Sequence, residues 1–449
     1  MVRYDIKNAI LITIDALRAD HLSCLGYHRK TTPQLDKIAK HGILFKNAIS
    51  NGASTPTSFR PILTSTYHSM YNDDRYLSKY RLTIQEALKR HGYSTAAFHS
   101  NPYLSGYFGY NRGFDTFVEI SDFKKEDLFK GIETKGFESL FHKFLFELKL
   151  MKFKLNKLYK FSKGEVYAKA NALNEKVMAW LKEHPEKFFI WLHYMDVHTP
   201  YTPPKEYLKL FSSSSYNVIK NLKFYLKIKR NIMEKFSEKD LELLIDLYDA
   251  EIRYVDTEIG LLLDELRKMG ILHETLIIIT SDHGEEFFEH GVFGHTHQHL
   301  YDELLRVPLI IYAPEIDENS VIEEQVELLS IAPTIVDILG LKRELDNFMG
   351  KSLLPIIKGE EEGSESVISE ASRSKISYRT PEWKFILNKE TKEYELYNLH
   401  TDPNERENIA EREKDKVKEF KKKIIDHEAM MERERIKRKI RRLRVTKGM

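Results

Sequence analysis

The chain has 449 residues, of which 42% are hydrophobic, so it can bury a large core and is predicted to be globular, with one large domain and a smaller one. Its 70 basic and 68 acidic residues nearly balance, and its single cysteine, Cys24, excludes an intrachain disulfide and suits a reducing compartment. With no visible signal peptide and no uncharged stretch near the roughly 20 residues of a membrane span, the sequence predicts a cytoplasmic protein.

Short apolar runs typical of buried strands alternate with amphipathic runs that carry helix caps, which is the pattern of a layered α/β fold. Thr32-Pro33 and the capping box of Thr83 and Glu86 mark two helix starts. The predicted strands lie at 9–14, 45–49, 95–99, 188–193, 275–281 and 306–312, and the predicted helices at 32–42, 55–64, 83–91, 237–269 and 330–339.

Two basic segments interrupt or follow this pattern. Within an insertion at about 121–180, residues 137–161 suit a basic amphipathic helix, and residues 413–449 form a charged helical tail. In that tail Ile436, Ile440 and Leu443 form an apolar stripe among nine Lys or Arg and one Glu between residues 433 and 447. Each helix either packs on the domain with its cations in water or binds an anionic partner. That partner is a membrane surface or an acidic partner for residues 137–161, and a membrane surface or nucleic acid for the tail. The tail is predicted to be docked, and specific nucleic-acid binding is not expected.

After Gly350 the sequence changes to short strand-like runs without intervening helices. These runs, at 367–369, 376–378, 383–387 and 395–399, predict a small antiparallel sheet. The predicted organisation is therefore a catalytic domain at 1–360, a C-terminal subdomain at 361–412 and the tail at 413–449.

Carboxylates and imidazoles follow two of the predicted buried strands. Asp15 ends the first strand, and Asp282-His283-Gly284 ends the strand at 275–281. Open α/β sheets place their sites at the carboxyl ends of strands, and divalent cations take carboxylate and imidazole ligands. Asp15, Asp282 and His283 are therefore predicted to bind one metal ion.

A hydroxyl and further polar side chains complete the candidate site. Pro56 suits a first helical turn, which puts Thr55 at a helix start. Thr55 is predicted to bind the metal as well, and this coordination can activate its hydroxyl as a nucleophile. Asp196, His198 and His295 are candidates for a second metal or for the substrate's oxygens, and His198 and His295 are predicted to be catalytic. His193, His297 and His299 are predicted to be structural or solvent-facing. This set suits attack on a tetrahedral phosphorus or sulfur centre.

The chain resembles the sulfatase family of the alkaline phosphatase superfamily over roughly residues 8–410. The resemblance rests on DALRADHLSCLGY at 15–27, the nucleophile loop at 55–64, MDVHTPY at 195–201, the long helix at 248–260, SDHGE at 281–285 with Gly294-His295, GKSL at 350–353 and ELYNL at 395–399. It implies a parallel-sheet catalytic domain with a small C-terminal antiparallel sheet and a metal site. It also implies a substrate-binding role for Arg18 and Asp196.

Three departures separate this chain from sulfatases proper. Those enzymes carry a Cys or Ser that is oxidised to formylglycine, whereas counting back from Thr64 places Thr55 at that position. Ala16 stands where they have a second aspartate, and His283 stands where they have asparagine. An imidazole ligand favours Mn²⁺, Zn²⁺ or Fe²⁺ over Ca²⁺.

The sequence therefore predicts a metal-dependent ester hydrolase that acts through Thr55, with a phosphoester or phosphonoester preferred over a sulfuric ester. The substrate would be a small molecule or the ester of a lipid headgroup or a glycan. A transferase of a phospho-group is the alternative. A non-enzymatic scaffold is disfavoured because Asp15, Thr55, Asp282 and His283 are all present.

Overall fold

A computed structural model of the chain describes residues 5–71, 76–120, 167–184, 186–213, 236–295, 299–316, 319–372 and 374–447. The amphipathic helix predicted at 137–161 lies outside these residues. The end of the predicted insertion falls in a described helix, Ala170–Glu183.

Eight of the described strands form one large sheet, which is the centre of the catalytic domain. In chain order the strands are β1 Asn8–Ile14, β2 Ile43–Ile49, β3 Ser94–His99, β4 Thr116–Glu119, β5 Phe188–Tyr194, β6 Thr275–Ser281, the short hairpin β7 Glu286–Phe287 and β8 Phe293–Gly294, then β9 Arg306–Tyr312 and β10 Ser320–Glu327. Without the hairpin, their order across the sheet is β10-β2-β9-β6-β1-β5-β3-β4.

Strand β9 runs antiparallel to both of its neighbours, so the sheet is mixed and not wholly parallel. Residues 282–305 connect β6 to β9, and their described part makes the hairpin and one four-residue helix, Asp302–Leu305. Because β9 is antiparallel to β6, it begins at the edge of the sheet where β6 ends.

Helices cover both faces of this sheet. They are α1 Pro33–Lys40, α2 Thr55–Thr64, α3 Ile84–Arg90, α4 Ala170–Glu183, α5 Lys205–Leu208, α6 Glu238–Lys268, α7 Asp302–Leu305, α8 Ile331–Ile338, α9 Leu354–Ile357 and α10 Lys414–Lys447. Along β1, Leu11 packs in the core under α2, α3 and α8, whereas Ile10 and Ile12 pack in the core under α1, α4 and α6. This alternation buries the strand on both faces.

A second, four-stranded antiparallel sheet follows the catalytic domain. Its strands are β11 Val367–Ala371, β12 Lys375–Arg379, β13 Trp383–Asn388 and β14 Tyr394–Asn398, paired in that order. The α/β fold with a small C-terminal antiparallel sheet is thus confirmed. The boundaries at residues 360 and 412 stay a prediction.

The first half of the tail helix α10 packs on this second sheet. Val417, Phe420 and Ile424 are buried in one cluster with Tyr378 and Phe385 of the sheet. Further along, Arg438 donates to the Asn347 carbonyl, whereas Ile436 and Ile440 are 50% and 47% exposed. The helix is docked, but its predicted apolar stripe faces outward, and Leu443 lies outside the described side chains. Among the described helices, none combines the length and apolar character that a membrane-spanning segment requires.

Candidate active site

The three predicted metal ligands lie together at the carboxyl ends of two neighbouring strands. Strands β1 and β6 are parallel and in register, with Ile14 opposite Ser281, so Asp15 and Asp282 leave the sheet side by side. One ligand atom from each of Asp15, Asp282 and His283 lies within 4.8 Å of the others, and all three side chains are buried.

The donor set fits a divalent cation. Asp15 Oδ1 and Asp282 Oδ2 are buried and accept no hydrogen bond from the described residues. His283 turns Nδ1 to the Gly284 carbonyl at 2.8 Å, which places the proton there and leaves the Nε2 lone pair facing the two carboxylates. Nε2 lies 3.8 Å from Asp15 Oδ1 and 3.4 Å from Asp282 Oδ2.

The pKa shifts of Asp282 and His283 also fit a site for a divalent cation. Burial and the charge of Asp15 raise the pKa of Asp282 well above its usual value, and burial lowers the pKa of His283 to about 3. A bound cation would relieve the repulsion between the carboxylates and would favour the neutral imidazole.

The turn after Asp15 has an unusual backbone. Ala16 adopts φ 59°, a left-handed conformation that costs a non-glycine residue about 1–2 kcal/mol. Tyr248 of helix α6 holds this turn, since its hydroxyl donates to the Ala16 carbonyl at 2.7 Å and accepts from the Arg18 amide at 2.9 Å.

Two residues that the sequence did not predict at the site hold Asp15. Asn101 Nδ2 donates to Asp15 Oδ2 at 2.9 Å, and His193 Nε2 lies 3.2 Å from the same oxygen. His193 was grouped with structural histidines, yet it contacts a predicted metal ligand. The available signal was position, because Asn101 follows strand β3 and His193 lies near the end of β5, at the same edge of the sheet.

Thr55 is the hydroxyl that faces the cluster. It begins helix α2, and its Oγ1 lies 3.5 Å from Asp15 Oδ2 and 3.5 Å from His283 Nε2. The neighbouring Ser54 is the N-cap, with its hydroxyl 3.0 Å from Thr57 Oγ1. Cys24 is not part of the described cluster, and burial raises the pKa of its thiol to about 12.

His198 and His295 border the metal cluster. The ring of His295 lies 4.3 Å from that of His283 and 5.0 Å from that of His198. Its Nδ1 is 2.8 Å from a carboxylate oxygen of buried Glu285, whose other oxygen accepts from the Tyr201 hydroxyl at 3.1 Å. Burial lowers the pKa of His295, but the charge and hydrogen bond of Glu285 outweigh this, and the pKa is raised.

Asp196 is held in a separate ion-pair cluster beside His198. Its carboxylate lies 3.4 Å from Lys169 Nζ, which also lies 3.3 Å from Glu251. The structure does not bring this carboxylate into the group of Asp15, Asp282 and His283, and a role in substrate binding stays a prediction.

Arg18 also forms ion pairs at the margin of the site. Its guanidinium donates to Asp20 at 2.7 Å and to Glu289 at 2.5 Å, and its side chain is only 6% exposed. The guanidinium of Arg18, which was predicted to bind substrate, is thus paired with neighbouring carboxylates. His299 pairs with Glu286 at 2.9 Å, and His297 lies outside the described residues.

Helix α7 connects the metal segment, residues 281–285, to the start of the nucleophile loop, which includes residues 50–54 before helix α2. Its Leu304 carbonyl accepts from the Gly284 amide at 2.8 Å, and its Leu305 carbonyl accepts from the Ser50 amide at 2.7 Å. Ser50 Oγ in turn donates to the Asp282 carbonyl at 2.5 Å. This helix therefore fixes the spacing between the two halves of the site.

The second sheet also contacts the nucleophile loop. Gly52 forms a parallel bridge with Glu370 at the end of strand β11. The Glu370 amide donates to the Asn51 carbonyl at 3.0 Å, and Ser369 Oγ donates to the Ser50 carbonyl at 2.6 Å. The C-terminal sheet is thus part of the support of the site.

Sequence models of two known families match the chain. The sulfatase model matches residues 7–341, and the model of the C-terminal region of N-sulphoglucosamine sulphohydrolase matches residues 288–431. Arylsulfatase K of Bos taurus is 25% identical over 451 residues, covering 90% of this chain and 78% of its own.

Solved structures share the fold. A phosphonate monoester hydrolase of Agrobacterium radiobacter aligns with a TM-score of 0.71 at 19% identity and covers 95% of this chain and 96% of its own. A protein solved with its substrate D-glucosamine-2-N,6-O-disulfate aligns with the same TM-score and identity, covering 96% and 98%.

Members of the sulfatase family bind a divalent metal, and Asp15, Asp282 and His283 form the group suited to it in the described chain. The matched sequence model spans most of the chain, and the strand ends carry the polar groups that ester hydrolysis requires. The chain therefore belongs to the sulfatase family of the alkaline phosphatase superfamily and is a hydrolase of sulfate or phosphate esters.

Proposed function

We propose that this hydrolase uses the Thr55 hydroxyl as its nucleophile and prefers a phosphate or phosphonate ester. The observation that carries the proposal is the position of Thr55 Oγ1, 3.5 Å from both Asp15 Oδ2 and His283 Nε2. Ser54, the nearest competing hydroxyl, is engaged with Thr57 in the helix cap.

Asp15, Asp282 and His283 are the residues that would hold the divalent cation. A cation bound there supplies charge that polarises the ester and lowers the pKa of a neighbouring hydroxyl. With an imidazole in the set, we propose Mn²⁺, Zn²⁺ or Fe²⁺ in preference to Ca²⁺.

The side chains around the cluster supply attack and proton transfer. Thr55 Oγ gives its proton to solvent water and forms a bond to phosphorus or sulfur as the bond to the leaving oxygen breaks. His295, held at Nδ1 by Glu285, gives the proton on its Nε2 to that oxygen. Water then attacks the threonine ester and gives one proton to His295, and the released Thr55 oxygen takes a proton back from solvent.

A threonine nucleophile favours an ester of phosphorus over an ester of sulfur. A threonine has one hydroxyl, so its ester intermediate must be opened by water attack at the central atom. Formylglycine hydrate has a second hydroxyl that can expel the group without such attack. Water attack in line with the Thr55 oxygen opens such an ester of phosphorus, and a cation held by Asp15, Asp282 and His283 would stabilise the charge that develops.

A sulfated sugar is the second candidate substrate. It is favoured by the similarity to sulfatases over most of the chain and by the likeness to the protein solved with glucosamine disulfate. The two candidates differ in the central atom and share the nucleophile.

The test is a panel of 4-nitrophenyl sulfate, phosphate monoester, phosphate diester and phenylphosphonate, each assayed with Mn²⁺, Zn²⁺ and Ca²⁺. Thr55→Ala should lower turnover by at least about a thousandfold, Thr55→Ser should retain a part, and the matched control Ser54→Ala should lose little. Full activity of Thr55→Ala, or formylglycine at residue 54 by mass spectrometry, would overturn the proposal. Sulfate hydrolysis with unmodified Thr55 would select the second candidate.

A further inference from the structure

Asp15 is the end of a chain of hydrogen bonds that starts in the core. Trp191 Nε1 donates to Thr13 Oγ1 at 3.1 Å, Thr13 Oγ1 lies 3.0 Å from His193 Nδ1, and His193 Nε2 lies 3.2 Å from Asp15 Oδ2. All four side chains are buried.

The direction of these bonds follows from their donors. An indole N–H can only donate, so Thr13 Oγ1 accepts from Trp191. The Thr13 proton then goes to His193 Nδ1 at 3.0 Å, which is nearer than its other acceptor, the Leu192 carbonyl at 3.4 Å. With Nδ1 as acceptor, the ring proton is on Nε2 and is donated to the Asp15 carboxylate.

This arrangement leaves the two oxygens of Asp15 in different states. Oδ2 takes the hydrogen bonds of His193 and of Asn101 Nδ2, the latter at 2.9 Å. Oδ1 stays buried without a hydrogen-bond donor among the described residues. It is the oxygen near His283 Nε2, at 3.8 Å. The Asp15 carboxylate is thus held through Oδ2, and Oδ1 is available to a metal ion.

We propose that Trp191, Thr13 and His193 form a positioning relay that fixes the orientation of Asp15 for the metal ion. The relay rests on the metal site of the proposed function. A metal ligand that is oriented by a second layer of hydrogen bonds binds its ion more tightly, and loss of such a partner typically costs 10–100-fold in affinity.

Packing supports the same assignment. Phe59 of helix α2 meets the His193 ring edge-on, with centroids 5.0 Å apart, and also contacts Trp191 at 5.2 Å. Phe59 lies one helical turn after Thr55. The His193 ring therefore lies between the strand that carries Asp15 and the helix that begins with Thr55.

The experiment measures metal affinity and does not depend on turnover. Full-length protein is stripped of metal, and the dissociation constants of Mn²⁺ and Zn²⁺ are measured by equilibrium dialysis. Thr13→Val removes the hydroxyl at nearly constant volume and should weaken binding 10–100-fold. Thr13→Ser keeps the hydroxyl and should bind within a few-fold of the unmodified protein.

Thr280→Val is the matched control. Thr280 lies opposite Thr13 in the neighbouring strand and is also buried, and its hydroxyl donates to the Pro308 carbonyl at 2.8 Å, outside the relay. Its loss should lower thermal stability about as much as Thr13→Val does, with metal affinity unchanged. If both threonine variants weaken binding alike, the effect is structural and the relay is rejected.

Trp191→Phe provides a second measurement if Thr13→Val does not fold. It removes only the first N–H of the relay and should weaken binding several-fold. Unchanged affinity in whichever of these variants folds would overturn the relay while leaving the metal site intact. Failure of the unmodified protein to bind either ion would instead overturn the metal site of the proposed function, and the relay with it.

Discussion

The side chain of Asn51, in the nucleophile loop, forms hydrogen bonds with three other parts of the chain. Its Nδ2 donates to Glu327 Oε2 at 2.8 Å and to the Ile368 carbonyl at 2.9 Å, and its Oδ1 accepts from the Leu329 amide at 2.8 Å. Glu327, at the end of strand β10, also accepts from the Tyr67 hydroxyl at 3.3 Å. A single amide side chain thus joins the loop to the end of β10 and to strand β11.

Glu327 makes stability depend on pH. Burial raises its pKa from 4.5 to about 7, although the hydrogen bonds from Asn51 and Tyr67 act to lower it. The folded protein therefore binds this proton more tightly than the unfolded chain, so the free energy of unfolding falls as pH rises from about 4.5 to about 7.

We predict that Glu327→Gln flattens this dependence, because glutamine keeps an acceptor for Asn51 and does not titrate. Urea unfolding at pH 5 and pH 8 measures it: the variant should lose less stability than the unmodified protein between these values. The same slope in both proteins would show that Glu327 ionises as it does in the unfolded chain.

At the residue scale the sequence predicted the candidate metal ligands but not the residues that hold them in place. Asp15, Asp282 and His283 could be predicted because each lies just after a buried strand. Open α/β sheets place their sites at that end of the strands. Asn101 and His193 could not, since their roles depend on the neighbours of β3 and β5 in the sheet. The order of strands in the sheet is set by contacts between residues that are far apart in the chain. The local sequence pattern does not show these contacts.

Among the elements, the four-residue helix α7 fixes the positions of both halves of the site. It receives amide protons from the metal segment at Gly284 and from the nucleophile loop at Ser50. At Gly284 the fit is so close that an added Cβ would lie 2.0 Å from the Glu303 carbonyl oxygen.

Gly284→Ala should therefore separate α7 from the turn that carries Asp282 and His283. We expect turnover to fall by at least about a hundredfold and unfolding free energy to fall by about 1–3 kcal/mol, the usual cost of overpacking. Activity and urea unfolding would be measured together.

Gly340→Ala is the control for this prediction. Gly340 has φ 74° with open space around it, so alanine there costs about 1–2 kcal/mol through the backbone alone. It should lose stability and keep turnover. Equal turnover in the two variants would mean that the close contact at Gly284 has no part in catalysis.

Among the elements, the long periodic helix and the apolar central strands could be predicted, whereas some short or charged strands could not. The helix at 237–269 appears as Glu238–Lys268 with its Ser237 cap. Strand β10 was missed because its sequence, SVIEEQVE, places charges on an edge strand, where the outer side meets water. The reversal of β9 could not be predicted, because the pattern of side chains along a strand does not show the direction in which it runs.

At the scale of the whole molecule, ion pairs join helix α7 to the second sheet. Asp302, at the start of α7, is 2.8 Å from Arg379 of β12 and 2.8 Å from Lys384 of β13, and Lys384 is also 2.9 Å from buried Glu405. Breaking such a buried network at one member typically costs 3–5 kcal/mol. The C-terminal sheet therefore holds α7 in place.

Helix α10 contributes to stability unevenly along its length. Val417, Phe420 and Ile424 are buried on the second sheet, each contributing about 1.5–3 kcal/mol, whereas beyond Met431 the described contacts are mostly polar. Deletion of residues 430–449 should therefore cost only about 1–3 kcal/mol, and deletion of residues 414–449 several kcal/mol more, measured by urea unfolding. Similar losses from both deletions would contradict this division of the helix.

The bond between Asn51 and Ile368 joins residues 317 positions apart, and it has a consequence for biosynthesis. At about 5–20 residues per second, translation reaches Ile368 on the order of tens of seconds after Asn51 has been made. Throughout that interval the ribosome-bound chain has its nucleophile loop without the strand that supports it. We therefore expect ester hydrolysis to begin only after translation has passed the second sheet, so that a nascent chain with all of its predicted metal ligands is not yet active.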